Sequence, residues 1–324
     1  MDNLIVHISN TPLAGAPGRL SNNLQQHTKL NSICFTEKDY KKAMAHIFTK
    51  HSLVLNNGLD ADAMGLFRKA LVNASVIHIH NYISPAVSKL VQELSSDVPI
   101  IYHLHSPRRE GPLYIPRNKE FKLPIVKQLV VAQMHPRFYP NATPVPNIVP
   151  IGYPYLRETE DPEKVRILYA PAEVRAGRWN GKACQHLFDA LKVVSAHKNV
   201  DVVALSQPQP SHVLERIRAT CDVSVDEIVT GGFHQVSLEG LQAGNAVING
   251  ADEISMRVMM GWTGARPPFV VSHSSTIADD LWKLIEDRDY LATTRKASLD
   301  YALKYLNPKK LIKIYENIYK DVIS

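Results

Sequence analysis

No apolar run in this 324-residue chain approaches the ~20 residues needed to cross a bilayer. The first residues, MDNLIVHISN, lack the basic n-region of a secretory signal. Cysteine is scarce, and Cys34, Cys184 and Cys221 stand far apart, which argues against a disulfide framework and suits reduced thiols. The expected setting is therefore cytoplasmic. Gly15 and Gly18, after the first apolar stretch, do not make the GxGxxG of dinucleotide enzymes, so no nicotinamide cofactor is signalled. No repeat is visible at a period of about 20–50 residues, so any two halves would be alike in architecture only.

What is present is enough for two domains with proper cores. A hydrophobic content of 45% with 21% charged residues is that of a globular protein. The net charge of +6 favours anionic partners, whether nucleotides, acidic membrane surfaces or nucleic acid; a chance surface bias explains so modest an excess nearly as well.

Strand and helix patterns alternate along the chain. Residues 4–8, 75–80, 100–105 and 129–132 read as strands, with helices from about Leu20 and over 85–94. Strand, helix, strand at this spacing implies a right-handed parallel crossover. Residues 136–154, PRFYPNATPVPNIVPIGYP, are proline-rich and semi-rigid, and mark a boundary near residue 152. The alternation then restarts with strands at 165–169, 202–205, 222–228 and 246–249. Helices are expected over 185–194, 211–220 and 235–243, and two amphipathic helices close the chain.

Three stretches carry candidate chemistry. The sequence 231–249, GGFHQVSLEGLQAGNAVIN, reads as a glycine turn, a short helix stopped by Gly244, and a buried strand. Such a turn aims unpaired N–H groups at one point and suits a phosphate, with Glu239 one turn further in. Two strands end in His-x-His, placing His78 with His80 and His103 with His105 on shared faces. Four imidazoles could hold a metal, but no carboxylate accompanies them at ligand spacing, and no metal is expected. Finally, residues 106–122 form a basic lip (Arg108, Arg109, Arg117, Lys119, Lys122) interleaved with Tyr114 and Phe121. A solvated loop and an acceptor-binding loop are both open readings of that lip.

Taken in order, these stretches resemble the retaining GT-B glycosyltransferases of family four. That family carries two glutamates separated by seven residues. Glu239 matches the second, which holds ribose hydroxyls, and Gly231 occupies the place of the first, which contacts the donor sugar. The resemblance implies two Rossmann-like domains facing across a cleft. These would be residues 1–152 on the acceptor side and 153–305 on the donor side, with a helix at about 306–324 packing back on the first. It implies that His105, in HLHSP, contacts the donor sugar, and that Arg175 and Lys182 grip the diphosphate, with Arg178 competing for the first role. Gly232, Phe233 and His234 would line the donor site, as would Gly15 and Gly18 in the first loop. Arg19, Arg108 and Arg109 would serve the acceptor side.

The implied function is sugar transfer with retention from a UDP- or GDP-sugar to a glycan or glycolipid hydroxyl in bacterial surface glycan synthesis. It would involve peripheral contact with an anionic membrane and no cofactor. A nucleic-acid acceptor, held by phosphate contacts, is an open alternative. So are a catalytically weak sugar-nucleotide or glycan-binding module, given Gly231, and a metal-dependent hydrolase built on the histidines.

Overall fold

The computed structural model describes residues 3–39, 51–106, 123, 125–149, 163–170, 184–205, 209 and 211–324. The chain divides into two compact units. The first comprises Met1–Val131, His135–Ile148 and Pro308–Ser324, and the second comprises Ala132–Met134 and Val149–Asn307.

In the first unit the strands are β1 (Leu4–Ser9), β2 (Asn31–Thr36), β3 (Leu53–Val54), β4 (Val76–His80), β5 (Ile100–Leu104), β6 (Ile125–Val131) and β7 (Thr143–Val145). They form one sheet in the order β3-β2-β1-β4-β5-β6-β7, and every pair is parallel. This is the doubly wound order, with its switch point between β1 and β4, where ligands of open α/β sheets bind. The helices are α1 (Ala16–His27), α2 (Ala61–Val72) and α3 (Pro85–Leu94). Helix α1 starts before the expected Leu20, because Gly15 turns the chain at φ +82° and Pro17 suits a first helical turn.

A parallel sheet buried on both faces should read as nearly continuous apolar sequence. Strands β1, β4 and β5 obey this on one face only. Val6, Ile8, Ile77, Ile79, Ile100 and Tyr102 pack there with Phe67 and Leu71 of α2 and Val87 and Val91 of α3. The alternate positions carry His7, His78, His80 and His103, all buried. Parallel register sets His7 beside His78 and His80 beside His103.

In the second unit the strands are β8 (Val165–Tyr169), β9 (Val200–Ala204), β10 (Val223–Val225), β11 (Ala246–Asn249) and β12 (Val270–Val271). Their order, β12-β11-β10-β8-β9, is again all parallel and is the flavodoxin-like winding. Its helices are α4 (Gln185–Ser195), α5 (Ser211–Ala219), α6 (Gln235–Gln242), α7 (Glu253–Thr263), α8 (Ile277–Glu286) and α9 (Arg288–Tyr305). The last helix, α10 (Pro308–Ile323), belongs to the first unit and lays Tyr315 and Tyr319 on its histidine face. The expected strand over 222–228 contracts to β10, because the chain turns at Asp226 and Glu227 to feed the next loop.

Candidate functional site

Two places carry the candidate residues, one in each unit. In the second unit, Gly231 takes φ +75°, a conformation open to glycine at little cost. Gly232 serves space instead. A Cβ there would come within 2.9 Å of the Met134 side chain, so that side of the turn is filled by the protein itself. Phe233 is fully buried, 5.4 Å from Phe269 between ring centres, in a cluster with Leu238, Leu241 and Met256. Its ring anchors the turn from inside.

Among the amide groups around this turn, the His234 N–H and, just before the turn, those of Val229 and Thr230 are engaged by the chain's own carboxylates. Asp226 Oδ2 accepts from the His234 backbone N–H at 2.8 Å and from Ser237 Oγ at 2.7 Å. Glu227 Oε2 accepts from the backbone N–H groups of Val229 and Thr230 at 2.7 and 2.8 Å, and its other oxygen accepts from the Thr230 hydroxyl. Negative charge at a helix N-terminus is favourable, and here Asp226 supplies it to α6. Burial alone would raise Asp226. The charge of His234, whose Nδ1 lies 3.5 Å away, and the hydrogen bonds from His234 and Ser237 outweigh burial and hold the carboxyl at about 2. These two acids were missed because they read as strand residues; the signal was an Asp-Glu pair directly before a glycine turn.

Glu239 lies on α6 with both oxygens engaged. Oε2 is 3.0 Å from Arg218 Nη1 of α5, and Oε1 accepts from Gln235 Nε2 one turn earlier at 2.6 Å. Arg218 is 1% exposed, and among the described residues its Nε and Nη2 have no hydrogen-bond partner. A fully buried guanidinium so placed fixes the orientation of the Glu239 carboxylate.

In the first unit, the loops after β1, β3 and β4 hold all the left-handed non-glycine residues found among the described residues: Leu13, Ala14, Asn56, Asn57 and Asn81. Strain of this kind gathers at functional sites. Gly18 lets α1 approach the chain at His51 and Ser52, where a Cβ would meet Ser52 Oγ at 2.7 Å. Arg19 reaches back to donate to the Ala14 carbonyl at 3.1 Å. Asn81, at φ +56°, ties two strand ends together. Its Oδ1 accepts from the His105 backbone N–H at 2.6 Å, its Nδ2 donates to Ser106 Oγ, and its carbonyl accepts from the Tyr102 hydroxyl. His105 is thus held at the carboxyl end of β5.

Behind His105 the structure gathers more imidazoles than the two His-x-His pairs. His7 joins them through the neighbouring β1. His7 Nδ1 lies 3.0 Å from His80 Nε2, and His80 Nδ1 lies 2.9 Å from His105 Nε2. His78 Nδ1 is 2.6 Å from the Tyr319 hydroxyl. Burial pushes His7 and His105 down to about 3, and burial with neighbouring imidazole charges pushes His78, His80 and His103 well below the ordinary range. All five are neutral near pH 7. Two groups, His7/His78/His80 and His80/His103/His105, have ring nitrogens within 4.8 Å of one another, and neither includes a carboxylate or thiolate.

A cavity of about 360 Å³ opens beside these loops, with Asn10, Glu37, Asn57 and Tyr82 as polar lining over Leu55 and Leu90. Arg108, Arg109, Arg117, Lys119, Lys122, Arg175, Arg178 and Lys182 lie outside the described residues. No helix among those described is long and apolar enough to cross a membrane.

No family model matches this sequence, and no curated protein does. Solved structures do match it. A glycosyltransferase from Rickettsia africae superposes with a TM-score of 0.61 at 11% identity, covering 100% of this chain and 99% of that one. Anabaena HepE in complex with UDP and glucose gives 0.61 at 11% identity, over 98% and 100% of the two chains. A Listeria monocytogenes structure assigned to a UDP-N-acetylglucosamine 2-epimerase gives 0.55 at 11% identity, over 99% and 97%. At such low identity the likeness speaks for the fold. It is the α/β architecture of two Rossmann-like domains found in GT-B glycosyltransferases.

Proposed function

We propose that this protein transfers a hexose-like sugar from a UDP- or GDP-sugar to an acceptor hydroxyl with retention at the anomeric carbon, in bacterial surface glycan or glycolipid synthesis. The observation that carries the reading is the fixed Glu239–Arg218 pair on a Rossmann-like unit, in a chain that shares its fold with a protein holding UDP and glucose. A carboxylate with a set orientation suits two ribose hydroxyls. His105, pinned by Asn81, would contact the donor sugar. Arg175 and Lys182 would stabilise the diphosphate as it gains charge on leaving, and fixed cations aimed there lower the barrier. The departing phosphate would take the acceptor proton on the same face. The polar-lined cavity near Glu37 suits the hydroxyls of a glycan acceptor, and the basic lip suits an anionic lipid carrier.

The first test is a thermal-shift screen of nucleotide-sugars, since a donor at a hundred times its Kd stabilises by about 2.7 kcal/mol. The active donor then allows a sharper one. Lys182→Ala should lower turnover by about 10²–10³-fold with the melting temperature nearly unchanged, and Arg178→Ala should lose less. Near-normal turnover in Lys182→Ala removes that residue from the diphosphate site. No metal takes part in this reading, so chelator-treated protein should keep full activity; loss of activity with release of a stoichiometric metal would overturn that.

Gly231, in place of the family's first glutamate, favours a second reading as a sugar-nucleotide-binding module with weak catalysis. The epimerase fold neighbour favours a third, inversion at carbon 2 of the bound sugar. Following a bound donor by proton NMR separates transfer, hydrolysis, inversion and plain binding.

A further inference from the structure

A neutral imidazole has one N–H and one lone pair. His80 makes both of its ring contacts at hydrogen-bond length, to His7 on one side and His105 on the other. It must therefore donate on one side and accept on the other, and the protons of all three rings point the same way along the row. If they point inward, His7 is left with an N–H at Nε2. If they point outward, His7 is left with a bare lone pair there. Among the described residues, the buried His7 Nε2 has no partner, and an orphaned buried N–H is the rarer case. The outward register follows: His7 Nδ1–H donates to His80 Nε2, and His80 Nδ1–H donates to His105 Nε2. His105 then carries its proton on Nδ1.

The competing use of these rings is a transition metal. A divalent ion in either histidine group would sit in a buried site with no carboxylate or thiolate to balance it. His80 belongs to both groups, so both could be filled only if its one ring served two ions. The two contacts of 2.9 and 3.0 Å are satisfied by hydrogen bonds alone.

We propose that His7 and His80 are positioning residues which lock His105 in its Nδ1–H tautomer, so that the ring presents a hydrogen-bond donor to a bound sugar. The sugar contact rests on the glycosyltransferase reading; the tautomer does not. Asn81 fixes the His105 backbone and the imidazole row fixes its ring, so both ends of the residue are preset before any ligand arrives.

The test is nitrogen-15 NMR of histidine-labelled protein, in which the shifts of the two ring nitrogens distinguish the tautomers. An asparagine amide reaches where Nδ1 of a histidine sits, and a glutamine amide reaches where Nε2 sits. His80→Asn therefore keeps the bond to His105 and drops His7, whereas His80→Gln keeps His7 and drops His105. The wild type should show His105 protonated on Nδ1, and His80→Asn, which loses the His7 end of the row and can turn either amide atom to His105, should loosen that preference. His80→Gln should show the mixture of an unrestrained imidazole, with KM for the donor raised about tenfold and kcat less affected. His7→Phe, at the far end of the row, serves if a His80 variant does not fold, and should also loosen the His105 tautomer. An unchanged His105 pattern in His80→Gln or His7→Phe would overturn the proposal. So would stoichiometric zinc, copper or nickel bound to the row in purified wild type. If no nucleotide-sugar stabilises the wild type while the tautomer pattern appears as described, the glycosyltransferase reading fails and the row stands.

Discussion

Lowering the pH below about 6.5 should steadily destabilise the first unit and unfold it between about pH 5.5 and 3.5. His7, His78, His80 and His103 are buried at 0–1% exposure. Burial depresses all four, His7 to about 3 and the others well below the ordinary value, and neighbouring imidazoles add to the effect for the latter three. In the unfolded chain each returns to about 6.5. Between those values the unfolded state binds more protons, so stability is fully present above about 6.5 and falls as pH drops below it. Each site contributes about 1.4 kcal/mol per pH unit there, so four give on the order of 5 kcal/mol per unit. A domain's total stability of about 5–15 kcal/mol is then exhausted within roughly one to three pH units.

Circular dichroism with potentiometric titration should find one transition taking up on the order of four protons. Among the described residues, neither nitrogen of His103 has a partner, at about 1–3 kcal/mol for each buried polar group left unmade. His103→Leu should accordingly keep the fold and remove one proton from the transition. A first unit whose unfolding stability, read by urea titration, stays constant between about pH 6.5 and 5 would mean that these rings are not desolvated as described.

That His7 belongs with the other histidines was not legible in the sequence, where it reads as one polar residue in an apolar strand. The sheet order sets β1 beside β4, and the parallel register then pairs His7 with His78. Topology, which no local pattern encodes, made the neighbour. Where an element buries an unbroken apolar stripe, local sequence sufficed: Pro85–Leu94, Val165–Tyr169 and Ala246–Asn249 fall where periodicity and glycine or proline stops place them. Helix α9 escaped because its buried face is Leu291, Thr294, Ser298, Tyr301 and Ala302, a stripe with three hydroxyl residues in it. Strand β2, NSICFT, alternates no better, since its far end is exposed and its near end buried. The two-domain α/β class was legible because it needs only the alternation of elements, whereas the partners of each site residue come from other elements. Glu239 could be singled out from its spacing, but Arg218 lies twenty-one positions earlier on a separate helix.

That pair should show the largest single-residue effect in the second unit. Glu239→Ala leaves the Arg218 guanidinium at 1% exposure without its carboxylate. Stranding a buried charge costs about 3–5 kcal/mol, which urea unfolding would register as a large fall in midpoint. Arg218→Met should cost less, because the Glu239 side chain keeps 14% exposure and can recover some hydration. The double variant Arg218→Met/Glu239→Leu should recover most of the loss, since exchanging both partners for apolar groups of similar volume is often neutral. A Glu239→Ala chain as stable as the wild type would show that Arg218 is compensated elsewhere.

The same cycle, read on donor kinetics among variants that fold, tests the assignment to ribose. A carboxylate that accepts two hydroxyls in ground and transition states alike raises KM when lost, by about ten- to a hundred-fold, and changes kcat less. Glu239→Gln keeps the shape and one acceptor oxygen, so it should be milder than Glu239→Ala. Arg218→Met should follow in the same direction, through the lost orientation of Glu239 alone. Free nucleoside diphosphate should weaken in parallel, while a 2′,3′-dideoxy nucleotide should bind every variant alike. If kcat collapses instead with donor affinity intact, Glu239 takes part in the bond-making step, and the helix carries chemistry rather than the ribose.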